Sequence, residues 1–223
     1  MNCSALVNRS PSIELLHIDC MDYMATLEDN AFQLAIVDPP YGIGIDGQKL
    51  DNNNKKPKHN RKAHDFKGWD SGIPTAEYFS ELKRVSTNQI IWGGNYFTEH
   101  LPPVKAWIFW YKGQRDLSMS DGEMAWTSFD KVTRQIELNR VFISRHGWSI
   151  HPTQKPVKLY EWLLKNYAKP GDRILDTHLG SASLAIAAHY AGHDFVGCEL
   201  DEDYYNAAVQ RFNDETKQQA LFK

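Results

Sequence analysis

The stretch that decides the fold is "DRILDTHLGSASLAIAAHYAGHDFVGCEL", Asp172 to Leu200. A turn at Pro170-Gly171-Asp172 leads into a short strand, Arg173 to Asp176. A Gly/Ser loop then opens a helix that Gly192 closes, and a second strand runs from Phe195 to Cys198 and ends at Glu199. Strand, loop, helix and strand in this order make a parallel unit. A last helix follows, carrying Tyr204, Tyr205, Ala208, Val209 and Phe212.

The amino-terminal half repeats the alternation. "IELLHIDC", Ile13 to Cys20, reads as a strand ending at Asp19, and "MDYMATLED" as a short helix or turn. "LAIV", Leu34 to Val37, is short and β-branched, so it reads as a fully buried strand. In "PTAEYFSELKRVS", Tyr78, Phe79, Leu82 and Val85 fall at helical face spacing. "QIIWGGNYF" is a strand broken at Gly93-Gly94, and "AWIFWYK" is another strand. "EMAWTSF" and "RQIELNRVFI" read either as edge strands or as a recognition segment. Further on, "HPTQKPVKLYEWLLKNY" combines a loop, Pro156 at a helix start, and an apolar face of Val157, Tyr160, Leu163, Leu164 and Tyr167. The expected fold class is therefore α/β, a Rossmann-like central sheet, mostly parallel and covered by helices on both faces.

At 223 residues the chain is long enough for one domain with a deep cleft. We expect a single domain, 1–223, with insertions near 45–72 and 112–150. No apolar run approaches the roughly 20 residues that span a bilayer, and the start of the chain lacks a signal-peptide layout, so no membrane partner is expected. Cys3, Cys20 and Cys198 are odd in number and widely spaced, which fits a reducing, cytoplasmic setting. With no CxxC and no HExxH among nine histidines, no structural metal is expected.

A net charge of −3 does not announce a nucleic-acid binder, but its distribution is uneven. Between Asp46 and Asp70 the chain carries seven lysines and arginines (Lys49, Lys55, Lys56, Lys58, Arg61, Lys62, Lys67) against four aspartates. That loop reads either as a solvated insertion or as a phosphate-contacting element. Arg115, Lys131, Arg134, Arg140 and Arg145 outline a second candidate recognition segment. Trp92 and Asn95 fall near the cleft by topology, although a lone tryptophan reads more readily as core.

Two features point to a nucleoside site at the carboxyl ends of the strands. Gly180 sits in the loop after Asp176, where a backbone must approach a ligand, and Glu199 closes the next strand roughly 20 residues on, the spacing of a ribose-binding acid. The loop is not a GxGxxG, which disfavours a dehydrogenase. A third feature is Asp38-Pro39-Pro40-Tyr41, which ends the strand Leu34–Val37 because neither proline can donate to the ladder. It forms a rigid shelf with one carboxylate, free carbonyls and one ring. An exocyclic amine on a nucleobase is a poor nucleophile because its lone pair is delocalised. Asp38 accepting one N–H and the Pro39 carbonyl the other would localise that pair and aim it at a methyl group, while Tyr41 stacks on the base.

In these motifs the chain resembles the S-adenosylmethionine-dependent amino-methyltransferases that act on exocyclic amines in DNA. In particular it resembles the adenine-specific members whose catalytic motif precedes the cofactor motif. The resemblance implies Asp38, Pro39, Pro40 and Tyr41 as the catalytic tetrapeptide and S-adenosylmethionine as cofactor. It further implies that Asp176, His178, Gly180 and Ser181 form the cofactor loop, with Glu199 at the ribose and Asp19 and Cys20 beside the cofactor adenine. Thr153, Gln154 and Lys155 of "HPTQKP" would then lie at the methionine end. Double-stranded DNA is the implied partner, and a homodimer is left open. Three residues depart from the family's loop: Thr177 stands for a proline, His178 for an aromatic residue and Ala182 for a glycine.

Aspartate in the first motif position favours adenine N6 over cytosine N4, although both amines need the same two acceptors. An amine in RNA or a protein glutamine, and a catalytically silent DNA-binding subunit, are the other readings.

Overall fold

The computed structural model describes residues 10–46, 66–115, 120–139 and 149–217. Eight strands form one sheet: β1 (Ile13–His17), β2 (Phe32–Val37), β3 (Ser86–Trp92), β4 (Trp107–Tyr111), β5 (Gly122–Thr127), β6 (Arg134–Glu137), β7 (Ile174–Asp176) and β8 (Phe195–Glu199). Their order is β1-β8-β7-β2-β3-β5-β4-β6. The pairs β1/β8, β8/β7, β7/β2 and β2/β3 are parallel, so five adjacent strands end on the same edge. Only β5 runs against both of its neighbours. The α/β class and the mostly parallel sheet expected from the alternation are what is found.

Among the described residues, five α-helices cover the sheet: α1 (Cys20–Ala25), α2 (Ala76–Val85), α3 (Val157–Tyr167), α4 (Ser183–Ala191) and α5 (Glu202–Lys217). The strand period of two sorts β2 between them. Leu34 and Ile36 point into a core with Leu159, Leu163 and Leu164 of α3 and Leu184, Ala185 and Ala188 of α4. Ala35 and Val37 point the other way, to Met24 of α1 and Tyr78, Phe79, Leu82 and Val85 of α2. Each such fully buried branched side chain contributes about 1.5–3 kcal/mol. α4 is buried from Ser183 through Ala188, and its alanines let it lie close against α3. Among the described residues, no helix is long and apolar enough to cross a membrane.

Some elements differ from the sequence reading. β1 stops at His17, because Asp19 turns to cap α1 and accepts a hydrogen bond from the Met21 amide at 2.7 Å. On α3 the buried face is Leu159, Tyr160, Leu163, Leu164 and Tyr167, with Val157 at its margin. The stretch "EMAWTSF", Glu123 to Phe129, read as edge strand or recognition segment, carries most of β5 (Gly122–Thr127), wedged between β3 and β4 within the sheet. After β3 the chain turns through Gly93 at φ +68°, where a Cβ would lie 2.2 Å from the Tyr41 ring, so only glycine fits.

Candidate active site

The parallel strands carry an acid at or just beyond four neighbouring carboxyl ends: Asp19 after β1, Glu199 on β8, Asp176 on β7 and Asp38 after β2. All four line one cavity of about 640 Å³. Cys20, Pro40, Thr153, Gln154, Lys155, His178, Gly180 and Ser181 line it too, so twelve of the fourteen site residues expected from sequence come together. Pro39 and Tyr41 are not part of the lining.

At the β2 end the Asp38 carboxylate is held on both oxygens. The Tyr41 hydroxyl donates to Oδ1 at 2.6 Å, and the Lys155 ammonium donates to Oδ2. Burial pushes the Asp38 carboxyl up from its ordinary range, and the adjacent Lys155 charge opposes that push. The Tyr41 ring stacks on Tyr96 at 5.0 Å and packs closely against Gly93. Lys155, expected at the methionine end of a cofactor, lines the cavity and contacts Asp38, and its ammonium also lies 3.1 Å from Glu123 Oε2. Distance along the chain explains why this was not read from sequence: β5 brings Glu123 to the cleft only through its place in the sheet.

The β7 and β8 end is held mainly by backbone amides. Glu199 accepts from Gly180 N at 2.9 Å on one oxygen, and from Leu200 N and Asp201 N at 3.1 Å each on the other. Burial pushes Asp176 up to about 8, against a hydrogen bond from the His178 amide. Burial also lowers the His178 imidazole to about 4, so it is neutral, and raises the Cys20 thiol to about 12. The departures from the family pattern have visible consequences. The Thr177 hydroxyl bonds both Tyr78 Oη at 2.7 Å and His178 Nδ1 at 2.9 Å, a polar chain that a proline could not make. Ala182, in the place of a glycine, precedes α4 in the left-handed region at φ +58°.

Thr153 and Gln154 also brace their own loop. Thr153 Oγ1 lies 3.1 Å from His151 Nδ1, and Gln154 Oε1 accepts from Ile150 N at 3.1 Å. Residues 67–75 roof the cavity. Asp46 accepts from the amides of Lys67, Gly68 and Trp69, and Asp70 accepts from Gly42 and Ile45 at 2.8 Å each. Trp69, His151 and Tyr204 form a run of ring contacts above the cleft.

Lys67, counted with the basic loop, is paired with Asp201 and Asp203 at 2.6 Å each, and this takes its charge out of any phosphate-facing set. Lys49, Lys55, Lys56, Lys58, Arg61 and Lys62, like Arg140 and Arg145, lie outside the described residues. Lys131 donates to the Asn166 carbonyl and packs over Tyr167, and Arg115 donates to Tyr111 Oη. Trp92 is wholly buried. Tyr78, Trp69 and Tyr160 line the cavity, and Glu123 stands behind Lys155; the sequence singled out none of them as a site residue. Glu123 left the only hint, an acid inside an otherwise apolar strand pattern.

A family model described as DNA methylase, of N6/N4 type, matches residues 70–210. The chain is 24% identical over 232 residues to the Type II methyltransferase M.HpaI of Haemophilus parainfluenzae, covering 86% of this chain and 71% of that one. Its fold is shared with the M1.HpyAVI–SAM complex at a TM-score of 0.59 and 20% identity, over 90% of this chain and 99% of the other. The cytosine-N4-specific PvuII DNA methyltransferase aligns at the same TM-score with 12% identity, over 94% of each chain.

Proposed function

The chain belongs to the S-adenosylmethionine-dependent DNA methylases of the N6/N4 type, and we propose that it methylates the N6 amine of adenine in double-stranded DNA. The observation that carries this reading is Asp38 at the first position of an intact Asp-Pro-Pro-Tyr shelf, its carboxylate lining the same cavity as the cofactor acids. The cavity suits the cofactor chemically. S-adenosylmethionine, when bound, supplies a methyl group on a cationic sulfonium, and it also carries an α-ammonium. Asp19, Asp176 and Glu199 are among the acids lining the cavity, and Asp176, buried and pushed up to about 8, gains most from a nearby cation.

Glu199 would take the ribose hydroxyls on its remaining lone pairs, since two oxygens offer about four acceptor sites. Asp19 and Cys20 would flank the adenine, His178, Gly180 and Ser181 the cofactor loop, and Thr153 and Gln154 the methionine end. The target base would enter flipped from the duplex, at a cost of a few kcal/mol. Asp38 would then accept a hydrogen bond from one N6 N–H and the Pro39 carbonyl from the other, with Pro40 fixing the shelf, and only one of these protons leaves as the nitrogen takes up the methyl group. The proton released from nitrogen passes to Asp38. Tyr41 acts by anchoring Asp38 Oδ1. We read 1–223 as one methyltransferase domain working in the cytoplasm.

A second reading, cytosine N4, keeps every step, because both amines need the same two acceptors and the N4-specific PvuII enzyme shares the fold. The test is mass spectrometry of nucleosides after incubating the purified protein with unmethylated DNA and S-adenosylmethionine. N6-methyladenine supports the proposal. N4-methylcytosine would replace adenine with cytosine, and no methylated base would favour an RNA or protein amine or a silent subunit.

A further inference from the structure

Lys155 immediately precedes Pro156 and the start of α3, and it is 4% exposed. Its ammonium contacts Asp38 Oδ2, lies 3.1 Å from Glu123 Oε2 and 3.4 Å from Tyr41 Oη, and is walled by the Trp92 ring at 5.3 Å. Glu123 is held in turn by Lys112 at 2.6 Å. Two carboxylates and two ammoniums thus alternate along one line, Asp38, Lys155, Glu123, Lys112, and their charges cancel. An isolated carboxylate at Asp38's depth would take up a proton and become a donor, useless for receiving an amine N–H.

We propose that Lys155, clamped by Glu123, is a positioning residue for methyl transfer: it fixes the orientation of Asp38 and its readiness to accept the target amine, and it does not hold the cofactor. The proposal rests on the reading that Asp38 receives that amine. Asp38 keeps acceptor capacity, because Tyr41 and Lys155 occupy one site on each oxygen and a carboxylate offers about four. The same geometry separates Lys155 from Thr153 and Gln154, whose polar contacts stay within their own loop.

The test compares the wild type with Lys155→Met and Glu123→Gln in steady-state methylation across pH and in calorimetric binding of S-adenosylmethionine. The groups facing Asp38 are Lys155, Glu123, Tyr41, Tyr160 of α3 and Asp176 of β7. Removing the lysine charge takes away what opposes the burial of the Asp38 charge, so the acid limb of kcat moves to higher pH. Removing the Glu123 charge moves it to lower pH. Lys155→Met should lose about 100-fold or more in kcat and Glu123→Gln about tenfold, with cofactor affinity within about twofold for both.

A lysine serving only as packing would lower thermal stability but leave kcat and the acid limb where they were, and that result overturns the proposal. So does a cofactor affinity that falls about tenfold with kcat retained at saturation. If Lys155→Met does not fold, an unaltered kcat and pH profile in Glu123→Gln overturns it alone. A wild type that makes no methylated base would remove the activity reading first, before any variant is compared.

Discussion

The two ends of the cavity are built on different terms. At the β2 end the motif is intact, and side chains from distant elements hold it: Tyr41, Lys155 and, behind them, Glu123 of β5. At the β7 and β8 end the motif has drifted at Thr177, His178 and Ala182, and backbone amides hold the acid Glu199. Those amides belong to Gly180, Leu200 and Asp201, none of them a drifted position, and any residue but proline would supply them. An ion pair between two specific side chains cannot drift without loss. On the proposed reading, the Asp38 shelf therefore has the stricter sequence requirement, and the Glu199 end the stricter backbone requirement.

Substitutions should divide along this line. Asp38→Asn keeps the volume of the shelf but removes its charge, and methylation should fall by at least about 10³-fold in a nucleoside assay. A rate within tenfold of wild type would break the assignment. Asp38→Ala is a poorer probe, because it leaves the buried Lys155 facing Glu123 alone. Glu199→Ala should cost about 1.5–3 kcal/mol of cofactor binding, roughly 10- to 150-fold in dissociation constant, with the saturated rate largely kept. An unchanged constant by calorimetry would remove Glu199 from the site.

The buried Asp176 adds a pH signature. Held near 8, it is largely protonated in the ligand-free protein at pH 7. A cation placed beside it favours the carboxylate, so binding should release up to one proton at pH 7 and tighten as pH rises toward 8. Calorimetry in two buffers of different ionisation enthalpy reads this directly, and no proton release would place the cationic part of the cofactor elsewhere. The same shift has a stability sign. The unfolded chain loses that proton near pH 4, so the ligand-free fold should lose stability as pH climbs from about 4 to 8.

The smallest effect belongs to the cradle's backbone. Ala182→Gly relieves a left-handed alanine and should stabilise the protein by about 1 kcal/mol in urea unfolding. A loss of stability would mean that the Ala182 methyl contributes more to the core than its backbone costs.

Much of this was legible before any coordinates. The Asp-Pro-Pro-Tyr shelf reads from sequence because two prolines after a β-branched strand admit few conformations. Glu199 reads from its spacing, since strand, loop and helix lengths in a parallel unit fix where the next strand ends. The destination of Lys155 did not read, because its partners Asp38 and Glu123 are brought to it only by the order of β2, β3 and β5 in the sheet. The packing around Tyr41 did not read from sequence for a similar reason. Its ring is claimed by Gly93 and Tyr96, residues that meet it only after β3 turns. Lys67 looked like one more base in a basic loop until α5 presented Asp201 and Asp203.

The most direct test of the division is the dissociation constant for S-adenosylmethionine of Asp38→Asn, measured by calorimetry on the preparation whose methylation rate is recorded. Separate catalytic and cofactor ends predict a lost rate with an affinity within a few-fold of wild type. A rate and an affinity that fall together would contradict the division and make Asp38 part of the cofactor's own site.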